Sequence, residues 1–142
     1  MASILIVEDD DIAAKALAAL LRREGHEAVC AADVGSALRA LRGDRPDLVV
    51  LDLSLPRVDG LSLMDAMRGE AGLGGVPVVV YTGRDDAASV ADARALGAAD
   101  FVVKGGDPHD VAGRIAAALG RHAATGPSDT DRGEGGSSFK AP

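Results

Sequence analysis

The chain has 142 residues, the size of one domain, and 47% of them are hydrophobic, which is enough to build one core. Aromatic residues make up only 2% and tryptophan is absent, so that core must be Val, Leu, Ile and Ala, side chains suited to close packing of helices on a sheet. A formal net charge of −7 with no cluster of Lys and Arg argues against a nucleic-acid surface, because phosphate backbones are held through such clusters.

Ile4-Leu5-Ile6-Val7 is a short apolar run, rich in β-branched residues, that reads as a strand buried on both faces. With no basic flank and so little apolar length it is not a signal sequence, and nowhere does the chain approach the roughly 20 apolar residues that span a bilayer. A cytoplasmic protein without membrane insertion is expected. The strand runs into Glu8-Asp9-Asp10-Asp11, four acids whose mutual repulsion something must offset. Asp11, the last of them, is placed to cap a helix over Ile12–Glu24, with Ile12, Ala16 and Leu20 facing the core and Leu17 and Leu21 beside them. Gly25 ends that helix. His26–Ala31 is a second strand, and its Cys30, the single cysteine, reads as a buried free thiol of a reducing cytosol.

Asp33 caps a helix over Val34–Leu41, closed by Gly43, and Pro46 leads into the third strand, which ends at Asp52. Pro56-Arg57-Val58-Asp59-Gly60 is turn chemistry, and Leu61–Arg68 follows as a helix. The glycine-rich stretch 69–75 precedes a strand instead of joining a strand to a helix, so it is a loop and not a nucleotide site. Val76–Tyr81 is the fourth strand, followed by Thr82-Gly83; Asp85 or Asp86 caps a helix over Ala87–Leu96. Phe101–Val103 is the fifth strand and ends at Lys104. Asp107-Pro108 opens the last helix, which reaches about Arg121. Residues 1–124 form the domain. From Thr125 to Pro142 the composition turns to Gly, Ser, Thr, Asp and Pro, and a disordered tail is expected, because such a segment buries too little to offset the entropy of ordering it.

Strand then helix, five times over, implies a parallel sheet covered on both faces by right-handed crossovers, a doubly wound α/β sandwich. In such a sheet every strand ends on the same edge. Glu8 and Asp9 stand after the first strand, Asp52 after the third, Thr82 after the fourth and Lys104 after the fifth. In the strand order 2-1-3-4-5 these four strands are contiguous, and the polar residues fall only on them. Carboxylates converging in one crevice raise one another's pKa unless a cation neutralises them, and an all-oxygen site with open water positions suits Mg²⁺. Metal, the Lys104 ammonium and the Thr82 hydroxyl together are what an acyl phosphate on Asp52 needs.

Ile4-Leu5-Ile6-Val7-Glu8-Asp9, Leu51-Asp52-Leu53-Ser54-Leu55-Pro56 with Asp59-Gly60, Val80-Tyr81-Thr82-Gly83 and Phe101-Val102-Val103-Lys104 occur in this order and spacing. In these motifs the chain resembles the receiver domain of two-component response regulators, from Ser3 to about Arg121. The resemblance implies a flavodoxin-like (βα)5 sandwich with sheet order 2-1-3-4-5. It implies that Asp52 is phosphorylated by a histidine kinase or phosphotransfer protein. Asp9, Asp52 and the Ser54 backbone carbonyl would ligate Mg²⁺, with Glu8 acting through water, and Thr82 and Lys104 would contact the phosphoryl group. Phe101 stands where the family often keeps an aromatic that swings inward with Thr82, although plain core packing serves a Phe there equally well. Ser54 and Arg84, two residues after Asp52 and Thr82, would set phosphate lifetime. No output domain follows, so a single-domain regulator is expected, acting on an unknown downstream protein through its fourth helix, fifth strand and fifth helix, and not itself an enzyme beyond its own phosphoryl transfer and dephosphorylation.

The family usually follows its lysine with a cis proline, whereas this chain has Gly105-Gly106. A non-proline cis bond costs roughly 3 kcal/mol, so a trans peptide is expected after Lys104. Haloacid dehalogenase-type phosphatases also use a strand-end Asp with Mg²⁺, Thr or Ser and Lys. Their nucleophile, however, ends the first strand and is followed two residues later by a second Asp, where this chain has Ser54. A receiver-like interaction module that works without phosphorylation would be expected to lose some of the acid, Thr and Lys positions, and none is lost.

Overall fold

Strands and helices alternate as β1 (Ser3–Val7), α1 (Asp11–Arg23), β2 (Glu27–Ala31), α2 (Val34–Gly43), β3 (Leu48–Leu51), α3 (Gly60–Arg68), β4 (Val78–Thr82), α4 (Ala87–Ala95), β5 (Asp100–Val103) and α5 (Pro108–Thr125). The structure, a computed structural model, describes residues 2–125. The tail expected over 125–142 lies outside the described residues except for Thr125, which closes α5. All pairings are parallel, and the sheet order is β2-β1-β3-β4-β5, as the sequence implies.

The two helix layers follow from the alternation of side chains along each strand. Leu5, Val7, Val49, Leu51, Val78 and Val80 point to the face covered by α2, α3 and α4, where Leu41, Leu63, Met64 and Met67 meet them. Ile4, Ile6, Leu48, Val50 and Val79 point the other way, to Leu17 and Leu21 of α1 and Ile115 of α5. Because both faces of β1, β3 and β4 are covered, these strands carry no polar alternation, which is why they read as continuous apolar runs. No described helix is long and apolar enough to cross a membrane.

The buried face of α1 agrees with expectation at Leu17 and Leu21 and differs elsewhere. Asp10, not Asp11, is the N-cap, its carboxylate accepting from the amides of Ile12 and Ala13 at 3.0 and 3.1 Å. The buried row is Ala14, Leu17, Ala18 and Leu21, an i, i+3, i+4, i+7 stripe whose two alanines let the helix lie close on the sheet. Ile12 is 82% exposed, Ala16 is exposed and Leu20 half-buried. Cys30 is likewise exposed, not buried, because β2 is the edge strand and only its Ala28 and Ala31 are buried. β4 begins at Val78, since Pro77 has no N–H for the ladder, although its carbonyl still accepts from Val49. Asp86 is the residue that caps α4, and α5 runs past Arg121 to Thr125. No peptide among the described residues is cis, in agreement with the reading of Lys104-Gly105.

Candidate phosphoacceptor site

Glu8, Asp52 and Lys104 are each held by a backbone bond that extends the ladder one step past the strand. The Glu8 amide donates to Ala31 O at 2.9 Å, the Asp52 amide to Val7 O at 2.9 Å and the Lys104 amide to Thr82 O at 2.8 Å. These residues are therefore placed by sheet register and not by flexible loops. Beyond Asp52 the chain is fixed by Leu53, which is fully buried, a burial worth about 2 kcal/mol. Gly60 then closes the approach: its amide donates to Leu53 O at 2.9 Å, and a Cβ there would stand 2.7 Å from Asp52 O.

The side chains converge on Asp52. Its Oδ1 accepts from the Thr82 hydroxyl at 2.8 Å and from the Ser54 amide at 3.0 Å, and its Oδ2 from Lys104 Nζ at 3.0 Å. Lys104 also pairs with Glu8 and lies 5.8 Å from the centre of the Tyr81 ring. Lys104 is thus the counter-charge for Glu8, the first residue of the acid run, and for Asp52. Burial pushes the Asp52 carboxyl up, but the bonds from Ser54, Thr82 and Lys104 outweigh it and hold the group below its ordinary value, ionised. For Glu8 burial wins over the lysine, and its pKa is raised. Burial lowers the Lys104 ammonium, but the two carboxylates outweigh that and raise it.

Glu8, Asp9 and Asp52 each present a carboxylate oxygen, all within 4.8 Å of one another, with Glu8 and Asp52 buried and Asp9 exposed. Three hard oxygen donors at that spacing could hold a metal ion with its remaining positions open to water. Ser54 follows directly, its amide on Asp52 as described, and its side chain is exposed. The crevice continues into a cavity of about 390 Å³ between α1 and α5, with Leu17, Tyr81 and Pro108 in its wall.

Phe101 is half-buried, packed against the core layer beneath α3 and α4. The Arg84 guanidinium donates to Asp59 Oδ2 at 3.0 Å, to Leu53 O at 3.3 Å and to Ser89 Oγ at 3.1 Å. Asp59 and Ser89 as partners of Arg84 are what the sequence did not disclose. Asp59-Gly60 was visible as a turn and as part of a motif, without a partner, and nothing in the sequence singled out Ser89.

A family model described as the response regulator receiver domain matches residues 4–116. The chain is 38% identical over 119 residues to the DNA-binding response regulator MtrA of Mycolicibacterium smegmatis, covering 84% of this chain and 51% of that protein. Among solved structures it is similar to a putative response regulator from Chloroflexus aurantiacus, with TM-score 0.79 and 30% identity over 84% of this chain and 98% of that one. A CheY-like response regulator receiver domain protein from Methanospirillum hungatei superposes with TM-score 0.82 at 25% identity, over 87% and 98% of the two chains. The chain spans about half the length of the curated relatives it matches.

Proposed function

Since this chain belongs to the response regulator receiver domain family, we propose that it is a signalling module whose Asp52 accepts a phosphoryl group from a partner histidine kinase or phosphotransfer protein. The observation that carries this reading is the Asp52 carboxylate, buried yet held ionised by Thr82, Ser54 and Lys104. An ionised oxygen at the open edge of a rigid sheet is a nucleophile in place. An Asp52 oxygen forms the new bond to phosphorus as the bond to the donor's imidazole nitrogen breaks, and that nitrogen leaves with the electron pair. Lys104, already 3.0 Å from one Asp52 oxygen, neutralises charge on the transferred group, and the Thr82 hydroxyl donates to one of its oxygens. Mg²⁺ held by Asp9, Asp52 and the Ser54 carbonyl, with Glu8 through water, would supply further charge neutralisation when bound.

Downstream, the surface of α4, β5 and α5 would present the change to a partner protein, with Thr82 and Phe101 as the moving side chains. Ser54 and Arg84 would set how long the acyl phosphate lasts.

Incubation with acetyl phosphate and Mg²⁺ followed by intact-mass measurement tests the reading. One base-labile phosphoryl adduct is expected on the wild type and none on Asp52→Asn. No adduct on either protein, together with no binding of beryllofluoride, would favour an interaction module that works without phosphorylation.

A further inference from the structure

Arg84 stands at the centre of a network that joins the acceptor to two helix ends. Its backbone amide donates to Thr82 Oγ1 at 3.3 Å, and that same hydroxyl donates to Asp52 Oδ1 at 2.8 Å. Any shift of the Thr82 hydroxyl therefore changes the anchor of the Arg84 backbone two residues on. The guanidinium at the other end of the residue is not free to follow passively. It is bonded to the carbonyl of Leu53, the residue next to the acceptor, and is ion-paired to Asp59. It also donates to the hydroxyl of Ser89, which is 4% exposed. Asp59 is the N-cap of α3, its Oδ1 accepting from the Leu61 amide at 2.9 Å. Ser89 lies in the first turn of α4, and its hydroxyl donates to the α4 N-cap Asp86 at 2.9 Å.

One residue thus touches the acceptor's hydroxyl partner through its backbone and, through its side chain, the cap of α3 and the first turn of α4. Arginine is suited to this, because its planar fork offers several donors in fixed directions at once, whereas a lysine offers one compact charge. We propose that Arg84 is a positioning residue that couples the state of Asp52 to the N-terminal ends of α3 and α4. This goes beyond the receiver reading and rests on it. When a phosphoryl group on Asp52 draws Thr82 toward it, the Arg84 backbone moves, and the guanidinium must rearrange its bonds to Asp59 and Ser89. The first turn of α4 changes as a result.

The test is ¹⁵N–¹H spectroscopy of the full chain at saturating Mg²⁺ and beryllofluoride, a stable mimic of the phosphoryl group. Wild type, Arg84→Ala, Arg84→Lys and Asp59→Asn are compared. In the wild type the anion is expected to shift amides at residues 52–54, at Thr82 and Gly83, and also at Leu61, Ser89 and Val90. In Arg84→Ala the shifts at 52–54 and 82–83 remain and those at Ser89 and Val90 are lost. Arg84→Lys, which keeps the charge and serves if the alanine variant folds poorly, loses the Ser89 and Val90 shifts as well. Asp59→Asn loses those at Leu61 and keeps those at Ser89. A residue that merely stabilised the fold would alter melting without removing the response of α4 at full occupancy. Shifts at Ser89 and Val90 of wild-type size in both Arg84 variants would overturn the coupling. Loss of anion binding in both would do so too, by placing Arg84 in the anion site itself. A wild type that binds no beryllofluoride would overturn the phosphoacceptor reading instead, and the coupling with it.

Discussion

Lys104 Nζ stands 3.0 Å from Asp52 Oδ2 while also paired with Glu8, so a single ammonium serves two buried carboxylates. The Lys104 pKa is raised above its ordinary 10.5, so its stabilising contribution is complete below that pH and is lost as pH rises through the folded value. The Asp52 pKa is depressed below 3.8, so its contribution is complete above that pH and is lost as pH falls through the folded value. Glu8, raised by burial, protonates first on acidification. Lys104→Met is expected to cost about 2 kcal/mol at neutral pH, less than a fully buried pair would because the lysine is partly solvated. Melting temperatures across pH should show the gap to wild type narrowing on both flanks, toward pH 4 and above 10.5. A gap of constant size would mean that the ion pairs contribute nothing.

Gly60→Ala should destabilise the protein by about 2 kcal/mol, because the new methyl meets the backbone of Asp52 and Leu53, neither of which can yield. Gly113→Ala is the internal contrast. Gly113 lies in α5, is exposed and has nothing within 4 Å of an added Cβ, so the change should stabilise by about 0.8 kcal/mol through helix propensity. Urea titration of the two variants should give opposite signs. In Gly60→Ala the uptake of phosphate from acetyl phosphate should slow as well, since the acceptor loop is displaced.

The two acids at the start of α1 should behave differently. Asp10→Ala removes the cap that satisfies two amides and should cost about 1 kcal/mol. Asp11→Ala loses only an ion pair with Lys15 in which both side chains are about three-quarters exposed, and should leave the urea midpoint unchanged.

Cys30 should be labelled completely by a thiol reagent in the native protein, since it is exposed on the edge strand. Labelling should be slower than for a free cysteine, because partial burial raises the thiol and its Sγ lies 3.8 Å from Ala14 O. Protection until unfolding would return Cys30 to the core.

Much of the architecture was legible in the residues because parallel strands covered on both faces have no polar positions except at their ends. Glu8, Asp52, Thr82 and Lys104 therefore stand out against apolar runs. The face of α1 was legible in part: Leu17 and Leu21 are buried as read, but apolar side chains occupy two adjacent helical rows, so Ile12 and Leu20 read as inward while Ala14 and Ala18, which make the close contact, do not. The exposure of Cys30 depends on β2 being the edge strand, which its own residues do not announce. The partners of Arg84 lie at residues 53, 59 and 89, and only the folded crossovers bring those segments together.

Val7 is paired with Leu51, and the residues just past them are Glu8 and Asp52. Side chains along a strand alternate with a period of two, so slipping β3 by one residue would turn Asp52 to the opposite face of the sheet, away from Thr82 and Lys104. The chemistry is accordingly a ruler laid along the sheet. During refolding, acceptor competence would not precede correct pairing of β1, β3 and β4, and a phosphoryl adduct on Asp52 would certify that three separate segments have found one alignment.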